Sequence, residues 1–157
     1  MSLCRLDKIK NSAHIVSFTS ATDLKNGNVV VTTGLKAGER ELYNATAPTD
    51  VTKQIVILHS SDPLTYDERE SEDDFVLKAG KAGRGYILEV GDIITLTDDL
   101  ITGETATTGV VIAVNGANKL KYATAVTTAT PEKLVFKVLE KTYLNGQKAT
   151  ALEVIAV

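Results

Sequence analysis

The sequence predicts a mainly β protein: a small sandwich-like or barrel-like body built from hairpins, in one unit or two β subdomains, with an extended N-terminal arm. Short runs rich in β-branched and aromatic residues alternate with turn signals, at a spacing typical of sandwiches and barrels. Three Asn-Gly pairs, a strong hairpin signal, follow or separate such runs at residues 26–27, 115–116 and 145–146. No long amphipathic helical pattern appears. We therefore expect about nine to eleven short strands.

The composition is that of an ordinary soluble globular protein. The 157 residues are 43% hydrophobic and 24% charged, which is enough for a sizeable core. A net charge of −3 argues against a nucleic-acid-binding surface, and 5% aromatic residues without tryptophan offer no stacking platform. The single cysteine, Cys4, rules out an internal disulfide and fits folding in a reducing cytoplasm. No apolar run is long enough to span a bilayer, so we expect no membrane partner.

Residues 1–12 have the pattern of an N-terminal arm. Leu3, Leu6 and Ile9 recur at helical spacing, with charged residues between them. A helix this short is marginal without a partner surface. The segment is either a frayed terminus or an arm that docks on a partner.

Residues 13–60 are predicted to form a β subdomain. Pro48 breaks the chain before the last of its apolar runs. The four strand candidates lie at residues 14–19, 29–33, 41–45 and 54–59. A weak boundary is therefore expected near residue 60.

Residues 61–85 are predicted to be a long charged and glycine-rich loop. Its first half is acidic, and its second half carries three glycines among basic residues. Connections longer than about 12–15 residues without secondary structure are usually functional or disordered. Two interpretations stay open: a solvated loop and a loop that contacts another subunit.

Residues 86–157 are predicted to form the main β domain. Two apolar runs flank Gly91-Asp92, a pair suited to a turn because glycine adopts positive φ and aspartate bonds to the backbone ahead. Both faces of these runs are apolar, so the alternative to a tight hairpin is a corner between two sheets. In the hairpin, Val90 would face Ile93 and Leu88 would face Thr95.

Two further hairpins are predicted in this domain. The first turns at Asn115-Gly116, and the second turns at Asn145-Gly146. The apolar base of the second hairpin should lie in the core. A two-residue loop there pairs Leu139 with Leu152, Phe136 with Ile155 and Val135 with Ala156.

The residue pattern indicates a binding or structural protein, not an enzyme, with no cofactor and no metal. His14 and His59 lie in separate apolar runs without zinc-ligand spacing. Residues 80–85 look like a glycine-rich phosphate loop, but such a loop follows a strand and these precede one. The acidic residues between 67 and 74 lack the order of a calcium loop, so they are interpreted as a solvated charge run.

Five short stretches carry a resemblance: residues 5–13, 23–27, 66–69, 73–75 and 84–103. Together they resemble small virion proteins of tailed bacteriophages, namely head decoration or cement proteins. The resemblance implies a non-enzymatic protein, made in the cytoplasm of a bacterial host, that binds the outer surface of the capsid and stabilises it. The alternatives are another virion component, such as a tail-tube, head–tail connector or fibre-base protein, and a surface-binding β module.

The resemblance also implies a partner. This partner would be the major capsid protein. The chain could also self-associate as a trimer or dimer, and we expect it to bind no nucleic acid. An arm of such a protein can add a strand to the shell or lie in a groove on it. The expected capsid-contact residues are positions of the arm and of the charged loop: Leu3, Arg5, Leu6, Ile9, Asp67, Glu68 and Arg69.

Overall fold

The computed structural model describes residues 2–10, 14–60, 74–103, 109–125 and 132–157. The chain is mainly β and forms a seven-stranded sheet and a closed five-stranded barrel, which confirms the predicted fold class. Asp98–Leu100 form one turn of 3-10 helix, and no helix among the described residues could cross a bilayer. The strands are β1 (Cys4–Lys8), β2 (His14–Ser20), β3 (Val29–Leu35), β4 (Leu42–Thr46), β5 (Val56–Leu58), β6 (Ala82–Ile87), β7 (Ile93–Thr97), β8 (Ile101–Thr102), β9 (Val110–Ala113), β10 (Leu120–Ala123), β11 (Val135–Leu144) and β12 (Gln147–Ala156).

The barrel has the strand order β2-β4-β3-β5-β6 and is closed by pairing of β6 with β2. β2 and β4 are parallel, and the other neighbouring strands are antiparallel. Phe18, Val30, Val56 and Leu58 belong to the apolar cluster of the barrel. A barrel of so few strands has room only for side chains, so its interior is a packed core.

Two glycines of β6 allow the barrel to close around these side chains. A Cβ at Gly85 would lie 2.3 Å from Val56 Cγ1 and 2.8 Å from Phe18 Cε1. A Cβ at Gly83 would lie 2.4 Å from Leu77 Cδ2. A side chain at either position would collide with the core, which is a known reason for glycine inside a strand. The glycine-rich end of the predicted loop is therefore a strand of the barrel, which corrects that prediction.

The division of the chain also differs from the predicted one. The barrel extends from His14 to Ile87, beyond the boundary expected near residue 60. The first residues of β6, 82–85, fell in the predicted loop because Ala-Gly-Arg-Gly is poor in strand-favouring residues, whereas Tyr86 and Ile87 belong to the predicted apolar run. Closure of the barrel supplies the stabilisation that local propensity lacks.

The seven-stranded sheet has the order β1-β7-β12-β11-β9-β10-β8. On one face, Leu96, Phe136 and Leu152 join an apolar cluster that also contains Val29 and Ile57 of the barrel. Each fully buried side chain of this size contributes roughly 1.5–3 kcal/mol. The two sheets therefore share one core.

The N-terminal segment forms a strand of this sheet, which corrects the extended arm expected for residues 1–12. β1 pairs antiparallel with β7, with Arg5 opposite Thr95. The Leu3 N–H donates to Thr97 Oγ1 at 2.9 Å, and the Thr97 N–H donates to the Leu3 carbonyl at 3.0 Å. Sheet pairing wins over the helical spacing because an isolated turn of helix has too few hydrogen bonds to be stable.

Gly91 and Asp92 form a corner between the two sheets, so the tight hairpin expected there is wrong and the alternative interpretation is confirmed. β6 pairs within the barrel, whereas β7 pairs with β1 and β12. Gly91 has a φ of 93°, and its N–H donates to the Val154 carbonyl at 2.9 Å. The buried Asp92 carboxylate accepts N–H bonds from Glu89 at 2.8 Å and from Lys10 at 3.0 Å.

Both later hairpins are confirmed. β11 and β12 are joined by Asn145-Gly146, whose φ angles of 46° and 78° suit a tight two-residue turn. β9 and β10 pair from Ala113 opposite Leu120, so Asn115-Gly116 lies in the loop between them. The first Asn-Gly pair joins β2 to β3, which are not neighbours in the barrel.

Two β-bulges change the pairing expected in the C-terminal hairpin. Leu139 on β11 and Ile155 on β12 are the extra residues, and the second bulge cancels the shift of the first. Both bulged side chains are exposed, at 42% and 44%. Val135 pairs with Ala156 as predicted, whereas Phe136 pairs with Val154 and Val138 pairs with Leu152.

Replacing Gly85 by alanine tests the packing of the barrel. Because the added Cβ would collide with Val56 and Phe18, we expect the free energy of unfolding to fall by about 1–3 kcal/mol. Arg84→Ala on the same strand is the control, because Arg84 is exposed and such substitutions change stability by less than about 0.5 kcal/mol. Urea unfolding followed by circular dichroism compares the two, and equal stabilities would contradict the packing argument.

Cys4 predicts a pH dependence of stability. Burial, with a smaller contribution from the charge of Asp7, raises the pKa of the Cys4 thiol from 9.0 to about 12. Between these two values the thiol ionises only in the unfolded chain, so the free energy of unfolding falls as the pH rises, by up to about 1.4 kcal/mol per pH unit. Chemical denaturation at several alkaline pH values should show that the free energy of unfolding falls less steeply with pH in Cys4→Ala than in the wild type. Parallel curves for the two proteins would argue against a buried, protonated thiol.

Candidate contact surfaces

The structure separates the residues expected to contact a capsid. Leu3 is 6% exposed, and Leu6 and Ile9 are partly buried against the main core. These three side chains hold the segment to its own sheet, so they are not free to anchor it to a partner. Arg5 is exposed and lines a groove on the outer face of the sheet. The three charged loop residues lie outside the described residues: Asp67, Glu68 and Arg69.

This outer groove, of about 480 Å³, crosses the face of the seven-stranded sheet that points away from the core. One cross-strand row runs through it. Arg5 on β1 pairs with Thr95 on β7, Thr95 pairs with Ala151 on β12, and Ala151 pairs with Glu140 on β11. The next residue along β7, Ile94, belongs to the core cluster, so strand alternation places the row on the opposite face.

β-Bulges add side chains to both walls of the outer groove. Asp7 is the extra residue on β1, and its Oδ2 accepts a hydrogen bond from Thr95 Oγ1 at 2.5 Å. Leu139 is the extra residue on β11 and is 42% exposed. The groove thus has small residues along its floor and large or charged residues along its walls.

The ends of the row carry opposite charges. Arg5 and Glu140 have no ion-pair partner within the part of the chain that the structure describes. Four neighbouring strands separate their Cα atoms by about 14 Å, at about 4.8 Å per strand. Unpaired charges of opposite sign beside apolar residues suit a partner that presents the complementary charges.

A second uncovered surface lies at one end of the barrel. Leu35 and Tyr43, which we call the barrel-end patch, are 49% and 37% exposed. Leu35 and Tyr43 are cross-strand partners next to the turn of the β3–β4 hairpin. Ile15 on β2 is also 49% exposed, but it pairs with Tyr86, which packs against the main core outside the barrel, so Ile15 is not part of this patch. Exposed apolar side chains grouped in this way are typical of contact surfaces.

The turn beside this patch is held by its own backbone. The Lys36 N–H donates to the Leu42 carbonyl at 2.8 Å, and the Glu39 N–H donates to the Lys36 carbonyl at 3.0 Å. Gly38 supplies the positive φ, 83°, that the third residue of such a turn requires. The exposed charged residues form a polar rim beside the apolar patch, an arrangement usual in protein interfaces: Lys36, Glu39, Arg40 and Glu41.

A polar cluster lies on the inner side of the sheet, near the C-terminal hairpin. Lys141 Nζ donates to Tyr122 Oη at 2.5 Å and to Thr150 Oγ1 at 2.6 Å, and it lies 3.6 Å from Asp98 Oδ1. Thr150 donates its one proton to Asp98 at 2.7 Å, so Tyr122 must donate its own proton to Thr150 at 2.8 Å. Every hydroxyl proton is engaged and the ammonium is surrounded by oxygens, so we interpret the cluster as a structural clamp.

The histidines lie apart from both surfaces. His59 packs edge-on against Tyr86, with ring centroids 6.0 Å apart. His14 lines a cleft of about 350 Å³ whose apolar walls include Ile55 and Leu134. Within the described residues, no three His, Cys, Asp or Glu side chains lie close enough together to hold a metal ion.

Sequence reasoning missed most residues of the two surfaces. Leu35, Tyr43 and Leu139 lie in ordinary strand patterns, where an apolar residue is expected to face a core. Leu139 is exposed because of a bulge, and the two barrel residues because their hairpin continues past the barrel interior. No local signal in the sequence distinguishes these positions from core positions.

No family model matches the chain, and no curated protein matches it. The two surfaces are therefore interpreted from their own geometry and chemistry.

Thr150→Val tests the polar cluster. The substitution keeps the shape of the side chain but leaves Lys141, Asp98 and Tyr122 with one hydrogen-bond partner fewer, so we expect the free energy of unfolding to fall by about 1–3 kcal/mol. Thr142→Val is a matched control, because Thr142 lies on the opposite face of the neighbouring strand, outside this cluster. Thermal and urea unfolding measure both variants, and a Thr150→Val protein as stable as the control would refute the clamp.

Proposed function

We propose that this protein is a non-enzymatic virion structural protein that binds the outer surface of a tailed-phage capsid and stabilises it. Its partner is the major capsid protein. The observation that carries this proposal is the uncovered apolar pair of the barrel-end patch, Leu35 and Tyr43, on a body whose barrel and sheet share an apolar cluster. A cementing protein needs a stiff body that presents an adhesive surface, and the resemblance of five short stretches between residues 5 and 103 to decoration proteins agrees with it.

The barrel-end patch is the proposed capsid contact. Its two apolar side chains are exposed next to a charged turn, so it has the apolar centre and polar rim of a protein interface. Tyrosine is enriched in such interfaces, and Tyr43 supplies one here. This assignment replaces the N-terminal arm, whose apolar residues are occupied within the protein's own sheet.

The geometry of the patch also suits binding. Leu35 and Tyr43 are fixed by strand pairing, and the adjoining turn is closed by backbone hydrogen bonds. A contact surface that is already ordered loses little conformational entropy on binding. Many copies on one shell would hold by avidity even where each contact is weak.

Co-sedimentation with capsids tests this function. Purified protein is mixed with undecorated heads of the phage that encodes it, and we expect it to pellet with them and to saturate at hundreds of copies per head, a number on the order of the capsid subunits. A protein that stays in the supernatant at every concentration would contradict the function. Saturation at about a dozen copies would instead indicate a connector or tail component.

A double variant, Leu35→Ser with Tyr43→Ser, tests the assignment of the contact. Loss of two apolar side chains from an interface should weaken head binding by at least about tenfold. Val90→Ser is the matched control, because Val90 is also 49% exposed but lies at the corner between the sheets. If the double variant binds as well as the control while both remain folded, another surface contacts the capsid.

A further inference from the structure

We infer that the outer groove binds the same groove of a second copy of this chain, about a two-fold axis that runs parallel to the strands between β7 and β12. The inference goes beyond the proposed function and does not depend on it, because it concerns the sheet face rather than the barrel-end patch. The partner is identified by the charge pattern of the groove itself.

The row Arg5, Thr95, Ala151 and Glu140 is self-complementary under this rotation. An axis along the strands exchanges the two ends of the row, so Arg5 of one copy lies over Glu140 of the other, and this happens twice. Thr95 then lies over Ala151. A two-fold axis across the strands would instead stack Arg5 on Arg5. A symmetric dimer needs a patch that complements itself, and this row meets that requirement in one orientation.

The shape of the floor allows two sheets to stack. Thr95 and Ala151 are among the smaller side chains, and they are 5% and 8% exposed, so a facing sheet can approach to the usual spacing of about 10 Å. Leu139 at the wall is 42% exposed and would become covered. Aligned stacking of two twisted sheets is a standard packing, with strand directions within about 30° of each other.

The remaining charges on this face fit the same orientation in their sum, with one like-charge pair at the rim. The β1 wall carries Arg5, Asp7 and Lys8, and the β11 wall carries Glu140 and Lys137, with Glu153 beside them on β12. The β1 wall is thus net positive, the β11 wall alone is neutral, and β11 together with Glu153 is net negative; the rotation brings the two sides together. Lys8 comes to lie over Lys137 at the rim, where long side chains extend into water and the repulsion is screened.

The contact should be weak. A face of four strands, about 20 Å wide and about five residues long, covers roughly 350 Å² per copy, which is below the size of stable specific interfaces and typical of weak contacts. We therefore expect a reversible monomer–dimer equilibrium in the micromolar range. Raised salt should shift it toward the monomer, because the attraction between Arg5 and Glu140 is partly exposed.

Analytical ultracentrifugation of charge-swapped variants tests this inference. The wild-type chain should show a concentration-dependent dimer. Arg5→Glu alone and Glu140→Arg alone should each raise the dissociation constant by at least about tenfold, because each places like charges over one another at two symmetric sites. The double variant, Arg5→Glu with Glu140→Arg, should recover dimerisation to within about threefold of the wild type, since it restores opposite charges.

Arg84→Glu is the control, because it reverses an exposed charge on the barrel, away from the groove. It should leave the monomer–dimer equilibrium unchanged. Circular dichroism confirms that each variant is folded. A wild type that is monomeric at all concentrations would overturn the inference, as would single variants that dimerise like the control. If the single variants dimerise weakly and the double variant does not recover dimerisation, the two-fold pairing would be ruled out. Loss of head binding in Arg5→Glu, with a monomeric wild type, would assign the face to the capsid instead.

Discussion

Burial of one apolar cluster between the barrel and the seven-stranded sheet is the interaction on which the rest of this structure depends. Strands from both units contribute to it, including Val29 and Ile57 from the barrel and Leu96 from the sheet. Backbone and side-chain hydrogen bonds cross the same boundary, because the Val29 N–H donates to the Asn118 carbonyl at 2.8 Å and Asn118 Nδ2 donates to the Val29 carbonyl at 2.9 Å. Neither sheet could bury its apolar face alone.

The position of this core decides which surfaces remain for a partner. The sheet covers one face against the barrel, so the other face, with its alternate residues, is left to solvent. Thr95 and Ala151 line that face because their neighbours Ile94 and Leu152 are required inside. The barrel likewise fills its interior and leaves uncovered the apolar pair at its hairpin. Contact surfaces arise here as a consequence of packing, without a dedicated domain.

Small backbone irregularities determine which side chains these surfaces present. Each bulge adds one outward side chain, and those at Asp7 and Leu139 stand on opposite walls of the same groove. Bulges also blunt the edge strand β1, which would otherwise offer unpaired backbone groups to any chain. The N-terminal strand therefore contributes charged residues to a surface while its apolar residues stay inside.

The sequence by itself determined the β class, the two Asn-Gly hairpins in the second half of the chain and the apolar character of β11 and β12. These features depend on local turn chemistry and strand propensity, which act over a few residues. Tertiary structure alone decided that residues 4–8 join a sheet, that Gly83 and Gly85 line a barrel, and that Leu139 points outward. Each of those outcomes depends on partners distant in the sequence or on a register shift, and neither is encoded in a local pattern. The candidate surfaces belong to the second group, so only Arg5 was predicted among their residues.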